Sequence, residues 1–205
     1  MPGPAAVAVR TATHADRRAV ADVLAAAFQV EPVYAWLFPD PAVRRRRLRP
    51  LLRAALGRHR DHGVVEVAQV DGAVVGVAVW EAPGDTGPGV GRTLLALPGT
   101  VWAAGRRFPA LLRVGGTLHA ARPATPHWYL SHLGVAPERQ GAGVGSALLR
   151  AMPPLRERAP AYLECKPAHV GYYERFGFAV SAEVVVDPTL TVVTMWYEPP
   201  RGDTG

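Results

Sequence analysis

The chain has 205 residues, 49% of them hydrophobic, which is enough to bury one substantial core, so a single domain over residues 1–205 is predicted. Its net charge of +6 comes almost wholly from arginine, because Lys166 is the only lysine, and the run Arg44 to Arg47 has no interleaved aromatic residues that would indicate a nucleic-acid partner. The single cysteine, Cys165, excludes an internal disulfide framework, and no long apolar segment is present, so a soluble, cytoplasmic protein without a membrane partner is expected.

The first half of the chain alternates between strand and helix signals. Val7 to Arg10 predicts a short strand, and Thr13-x-x-Asp16 is a capping box that opens a helix with an apolar face. A second helix is predicted from Asp40 to Gly63, after an aromatic, turn-rich loop at Glu31 to Phe38. Next, Asp71-Gly72 joins two apolar runs, at 64–70 and 73–80, which indicates a β-hairpin.

The second half begins with a segment, 83–126, that is rich in glycine and proline and then helical in pattern. We interpret it as an insertion whose helical part, 94–121, is interrupted by Pro98 and Pro109. The remaining elements are predicted in the order strand, helix, strand, short helix, strand and strand, at 127–135, from 142, 161–165, 169–175, 178–186 and 190–197.

A glycine-rich turn joins the strand at 127–135 to the next helix. Gly141, Gly143 and Gly145 leave room for backbone N–H groups to approach an anion, as in phosphate-binding loops at helix N-termini. A dinucleotide-binding turn is the alternative. It is disfavoured because residues 136–140 separate the strand from the first glycine and Ser146 stands where a third glycine would fall.

Two motifs resemble the GNAT superfamily of N-acetyltransferases. Gln140-x-x-Gly143-x-Gly145 is similar to the acyl-CoA pyrophosphate loop of that superfamily, and the segment Tyr172 to Phe178 is similar to its Tyr-Glu-x-x-Gly-Phe segment. The predicted order of elements matches as well. The resemblance implies a mixed α/β fold with a central, mostly antiparallel seven-stranded sheet, splayed between strands 4 and 5, with helices on both faces.

The same resemblance implies acetyl-CoA as the acyl donor and assigns the residues that bind it. A backbone N–H near the end of strand 4 is expected to polarise the thioester carbonyl, and the loop after it to hold the pyrophosphate. His169 replaces an asparagine that contacts CoA in many relatives. The expected CoA-binding residues are Leu133, Gly134, Val135, Arg139, Gln140, Gly141, Ala142, Gly143, Val144, Gly145, Ser146, His169 and Tyr173.

Two side chains are the expected catalytic residues. Tyr173 aligns with the tyrosine that protonates the CoA thiolate. Glu164 occupies the position of a glutamate in antibiotic-modifying and ribosomal-protein relatives, where a carboxylate facing a cleft can act as a base, directly or through water; a salt bridge or substrate anchoring is the alternative role. The strand-4 positions that hold the base in many other relatives are Tyr129 and Ser131. Strand alternation predicts that His132 faces the other side of the sheet, as a core histidine.

The acceptor site is expected to be aromatic, which suits an amine attached to a ring or another apolar body. The expected substrate-binding residues are Phe28, Tyr34, Trp36, Phe38, Trp80, Tyr129 and Ser131. No metal is predicted, because His59 and His62 lack a third ligand nearby, and Cys165 is interpreted as a small buried side chain.

The leading hypothesis is therefore an acetyl-CoA-dependent N-acetyltransferase that acts on a small-molecule amine, such as an antibiotic or natural product, by direct attack in a ternary complex. Antibiotic resistance is one role that this chemistry would serve. Two alternatives stay open, a non-catalytic acyl-CoA-binding GNAT module and a protein N-terminal or lysine acetyltransferase. The protein is expected to be a monomer or homodimer.

Overall fold

A computed structural model of the chain describes residues 6–58, 63–84 and 98–200. Seven strands form one sheet in the order β1-β2-β3-β4-β5-β7-β6, in which only β4 and β5 are parallel. The strands are β1 Ala8–Thr11, β2 Gly63–Val70, β3 Ala73–Glu81, β4 Trp128–Val135, β5 Ala161–Cys165, β6 Phe178–Asp187 and β7 Leu190–Tyr197. This is the sheet that the sequence predicted.

Helices cover both faces of the sheet. They are α1 Arg17–Ala27, α2 Pro32–Leu37, α3 Pro41–Arg58, α4 98–104, α5 Phe108–Ala120, α6 Val144–Arg150, α7 Pro153–Glu157 and α8 Val170–Glu174. The predicted aromatic loop before α3 is largely helical, because it contains α2. Among the described residues, no helix combines the length and the apolar composition that a membrane crossing requires.

The hairpin turn and the helix cap that the sequence predicts in the first half of the chain are both present. Asp71 and Gly72 both have positive φ angles, of 52° and 78°, which is the backbone of a tight hairpin turn between β2 and β3. Before α1, the Asp16 carboxylate accepts hydrogen bonds from the backbone N–H and hydroxyl of Thr13 and binds both terminal nitrogens of Arg10 at 2.8 Å. Asp16 thereby ties β1 to the start of the first helix.

Two apolar clusters form the main core, one on each face of the sheet. On one face α1 and α3 pack against β2 and β3 through Leu24, Leu52 and Val77. On the other face α6 packs against a cluster that includes Trp80 and Trp128. Trp80 is fully buried there, so the expectation that it would contact the acceptor is wrong.

The sheet opens between β4 and β5. These strands pair only from Trp128 to Leu130 on β4 and from Ala161 to Leu163 on β5, although β4 continues to Val135 and β5 to Cys165. Beyond Leu130 the two strands diverge, so their facing edges no longer bond to each other. The result is a slot that begins in the middle of the sheet and leads into a cavity.

Candidate active site

A cavity of about 580 Å³ lies at this slot. Its floor is formed by β4 and β5, and parts of α2, α5 and the α1–α2 connection line its remaining sides. Eight of the side chains expected at the active site line it, namely Phe28, Tyr34, Tyr129, Ser131, Leu133, Glu164, His169 and Tyr173. The fold therefore brings together residues that are up to 145 positions apart in sequence, between Phe28 and Tyr173.

Two aromatic residues of the Glu31 to Phe38 segment lie outside this cavity. Phe38 is buried with Leu37 and Leu51 beneath α3, and Trp36 packs against α5 and the β6–β7 hairpin, with the Arg113 guanidinium 5.3 Å from its ring centre. The expectation that both contact the acceptor is wrong. Because the segment is helical, side chains two positions apart point about 200° away from each other, so Tyr34 faces the cavity and Trp36 does not.

Glu164 is the centre of a buried polar cluster at one end of the cavity. Its Oε2 accepts a 2.6 Å hydrogen bond from the Tyr129 hydroxyl. Arg122 lies across the Tyr129 ring, with its guanidinium carbon 3.6 Å from the ring centre, and its nitrogens are 3.8 Å from Glu164 and 3.5 Å from Glu81. One arginine thus faces two carboxylates, which leaves this end of the cavity with an excess of negative charge.

The environment of Glu164 suits a proton acceptor. Burial raises the pKa of its carboxyl, while the hydrogen bond from Tyr129 and the charge of Arg122 oppose that rise. Glu164 Oε1 and the Tyr162 hydroxyl are both buried without a hydrogen-bond partner among the described residues. A carboxylate with one fixed oxygen and one available oxygen can accept a proton without losing its position.

Tyr173 and Tyr172 have different surroundings although they are adjacent. The Tyr173 side chain lines the cavity and is buried, and burial raises the pKa of its hydroxyl well above the usual range, so it keeps its proton at neutral pH. The Tyr172 hydroxyl instead lies against the glycine-rich loop, where a Cβ added to Gly145 would come within 2.7 Å of it. Of these two adjacent tyrosines, Tyr173 is the one that lines the cavity.

His132 also faces the cavity, against the prediction from strand alternation. The pairing register of β3 and β4 shifts between Val79 and Trp80, so that Ser131 is an extra residue in β4. Such a bulge turns the following side chain to the other face of the sheet. As a result the His132 ring lies 3.3 Å from the Tyr34 hydroxyl and 5.7 Å from the Phe28 ring centre, on the same side as Tyr129.

A second ion pair lines the same cavity as Tyr173. Glu31, in the connection between α1 and α2, lies 4.0 Å from the Lys166 ammonium, which directly follows β5. Burial raises the pKa of Glu31, and the lysine charge opposes that rise. His169 lies on the same wall, where burial and the Lys166 charge lower the pKa of its imidazole.

The glycine-rich loop projects from the end of β4. Gly141 and Gly143 have positive φ angles, of 77° and 80°, and nothing lies within 4 Å of where their Cβ atoms would be. The N–H groups of Gly141 and Gly143 have no backbone acceptor within the described part of the chain, and the Gln140 side chain fastens the loop by donating to the Val135 carbonyl. The loop therefore offers free backbone donors to an anion, although Gly145 is needed for contact with Tyr172 rather than for ligand access.

Two further predictions from the sequence concern Cys165 and the absence of a metal site. Cys165 is buried with its sulfur 3.7 Å from that of Met195, and burial raises the pKa of its thiol to about 11. Within 6–58, 63–84 and 98–200, no three His, Cys, Asp or Glu side chains are grouped as a metal site. His59 and His62 lie outside the described residues.

Sequence reasoning missed four charged residues of the cavity: Glu31, Glu81, Arg122 and Lys166. Glu81 ends β3 directly opposite Tyr129 of β4, a pairing between strands that are distant in sequence, so no local turn signal could have placed it. Arg122 lies in the connection between α5 and β4, where no periodicity indicates which way a side chain points.

The site thus combines a splayed sheet, a donor-rich loop at the end of β4, and a buried tyrosine and carboxylate beside the slot. Residues 98–180 match the family model of the acetyltransferase (GNAT) domain. This match covers 83 of the 205 residues, mostly in the second half of the chain.

Several solved structures share the fold over nearly the whole chain. A histone acetyltransferase HPA2 and related acetyltransferase from Corynebacterium glutamicum is 28% identical, with a TM-score of 0.73, and the match covers 94% of this chain and 96% of that one. The polyamine N-acetyltransferase of Drosophila melanogaster is 16% identical with a TM-score of 0.60, covering 94% and 100%. The ribosomal-protein-S18-alanine N-acetyltransferase of Escherichia coli is 13% identical with a TM-score of 0.56, covering 95% and 94%.

Proposed function

We propose that this protein transfers an acetyl group from acetyl-CoA to the amine of a small molecule. The observation that carries the proposal is that Glu164 and Tyr173, a candidate base and a candidate acid, line one cavity at the point where β4 and β5 separate. The residues present suit acetyl-CoA: the loop at 140–146 offers N–H donors to the pyrophosphate, and the open strand edges offer partners to the pantetheine amides.

The proposed reaction is direct attack within a ternary complex. Glu164 takes a proton from the acceptor ammonium, directly or through one water, and the neutral amine attacks the thioester carbonyl. A backbone N–H among Leu133, Gly134 and Val135 stabilises the oxyanion, and Tyr173 gives its proton to the departing thiolate. The proton that the nitrogen loses on collapse of the intermediate restores the Tyr173 hydroxyl. Holding both substrates in one cavity supplies much of the rate, because the attack becomes effectively intramolecular.

The acceptor is proposed to be a cationic amine with an apolar body. Three carboxylates but only two fixed cations line the cavity, which favours a positively charged ligand. The Phe28 and Tyr34 rings stack at 5.3 Å along its wall and offer an apolar surface. Residues 128–149 and 162–182 resemble puromycin N-acetyltransferase, which adds antibiotics and natural products to the classes to test, and with them a role in antibiotic resistance.

A thiol-release assay tests this proposal. Purified protein is incubated with acetyl-CoA and a panel of amines that includes aminonucleosides, arylalkylamines, polyamines and peptides with free N-termini. We expect CoA release with at least one small amine and little with the peptides, because three residues of α5 (Leu111, Val114 and Leu118) line the cavity where a long peptide would need an open groove. Acetyl-CoA binding without release by any amine would contradict the enzyme proposal and favour a non-catalytic acyl-CoA-binding module.

A further inference from the structure

Lys166, the only lysine of the chain, lines the cavity in which the proposed reaction takes place. Its side chain is 25% exposed, and its Nζ lies 4.0 Å from the Glu31 carboxylate. It is separated from Tyr173 only by a short 3-10 turn, at Pro167–His169, and the first residues of α8. A primary amine is therefore built into the wall of the proposed acceptor site.

The ion pair with Glu31 lies in the same cavity as the proposed acid. Lys166, Glu31 and Tyr173 all line this cavity, and the Lys166 Nζ is 4.0 Å from the Glu31 carboxylate. The amine, the proton acceptor and the acid therefore share one cavity of about 580 Å³. These are the three groups that an acetyl transfer to an amine requires.

We propose that Lys166 is an internal acetyl acceptor, so that the protein acetylates itself at this residue when acetyl-CoA is bound and no external amine is present. This inference rests on the proposed function, because it uses the same donor and the same acid. It adds a modification site, at the single lysine of a chain whose other 22 Lys and Arg residues are all arginine.

In this reaction the Lys166 ammonium gives one proton to Glu31, and the neutral Nζ attacks the thioester carbonyl carbon. The N–C bond forms, and the C–S bond breaks as the thiolate takes a proton from Tyr173. The second proton of the nitrogen restores the Tyr173 hydroxyl. The products are an acetamide on Lys166 and free CoA thiol, and the proton held by Glu31 is released to the solvent.

Acetylation would change the site in two ways. The cation that faces Glu31 disappears, which makes the cavity more negative and leaves a half-buried carboxylate without its partner. The added acetyl group also occupies volume in the cavity. We therefore expect acetylated protein to turn over external amines more slowly than unmodified protein.

Intact-mass spectrometry and peptide mapping test the proposal, using the full chain incubated with acetyl-CoA alone. We expect one added acetyl group, located at Lys166, formed at least about tenfold faster than on heat-unfolded protein or on the chain's α-amino group. Tyr173→Phe should slow the labelling about tenfold or more, and Lys166→Arg should abolish it while keeping a cation near Glu31. Labelling of Lys166 at the same rate in folded, unfolded and Tyr173→Phe protein would overturn the proposal, because acetyl-CoA would then be reacting with the lysine without catalysis by the folded site.

The thiol-release assay with the amine panel separates this inference from the proposed function. Turnover of an external amine with no acetyl group on Lys166 would overturn the self-acetylation alone. Release of CoA by neither an external amine nor Lys166 would overturn both.

Discussion

The Tyr129 hydroxyl donates a 2.6 Å hydrogen bond to Glu164 across the two parallel strands, one residue before those strands separate. Tyr129 is paired with Tyr162 on β5, and Glu164 lies two residues further along. The bond therefore fixes the carboxylate where the sheet opens. It also leaves Oε1 of Glu164 without a hydrogen bond among the described residues, with the Arg122 Nε 3.8 Å away.

Removing this bond should change the pH dependence of the reaction. The Tyr129 hydrogen bond lowers the pKa of Glu164, so Tyr129→Phe should raise it. Because the base acts as a carboxylate and is lost as the pH falls through its pKa, the acid limb of kcat/KM should move to higher pH, by roughly one unit. The measurement is a pH profile of kcat/KM for any amine that the panel identifies.

Tyr197→Phe is the matched control for that profile, because Tyr197 packs in the core against Phe178 and Gly177. The acid limb of the kcat/KM profile of this variant should not move. If the acid limb of Tyr129→Phe is also unchanged, Glu164 is not the base.

Substitution of the two adjacent tyrosines should affect different kinetic constants. Tyr173→Phe removes the proposed proton donor and should lower kcat about 100-fold with little change in the KM of acetyl-CoA. Tyr172→Phe removes a hydroxyl that packs on the loop at Gly145 and should mainly raise the KM of acetyl-CoA. Steady-state kinetics of the pair, with both substrates varied, distinguishes these outcomes; equal kcat in wild type and Tyr173→Phe would contradict the assignment.

The loop conformation can be tested at Gly143. Its φ of 80° is strained for any residue with a Cβ, at about 1–2 kcal/mol, even though the space around it is open. Gly143→Ala should therefore raise the dissociation constant of CoA roughly tenfold through a displaced loop, as measured by calorimetry. Gly116→Ala, at a helical glycine with an equally open surrounding, should leave CoA affinity unchanged; equal affinities in the two variants would show that the loop does not bind the donor.

Asp16 gives a prediction about stability rather than catalysis. Its hydrogen bonds to Arg10 and Thr13 hold the pKa of the carboxyl well below its usual range. Stabilisation from a lowered pKa is present above the unfolded value of about 3.9 and is lost as the pH falls. Asp16→Ala should therefore reduce the free energy of unfolding by about 2 kcal/mol near neutral pH, and the difference from wild type should shrink in acid. Urea unfolding of wild type and Asp16→Ala, near neutral pH and in acid, provides the test. A difference in unfolding free energy that is the same at both pH values would contradict the prediction.

The elements of the fold and the two catalytic candidates were predictable because each has a local signal. Strands β5 and β7 have the predicted bounds, 161–165 and 190–197, and Glu164 and Tyr173 stand at fixed places in recognisable motifs. His132 was not predictable in the same way, because one extra residue in β4 reverses its orientation and no local pattern marks a bulge there. Arg122 was missed because its position depends on tertiary contacts with Tyr129 and Glu81.

The aromatic residues predicted for the acceptor site also divide into those that line the cavity and those that pack elsewhere. Phe28 stacks on Tyr34 at 5.3 Å and lines the cavity, whereas Trp36 is packed between α5 and the β6–β7 hairpin. Phe28→Ala should raise the KM of the amine about tenfold, which corresponds to the loss of one aromatic contact, and leave acetyl-CoA affinity unchanged. Trp36→Ala should instead lower the free energy of unfolding by about 2–3 kcal/mol and leave the amine KM unchanged, because it removes a structural side chain. Measuring kinetics and urea unfolding for both variants decides the matter: if Trp36→Ala raises the amine KM at unchanged stability, the acceptor extends beyond the cavity toward α5.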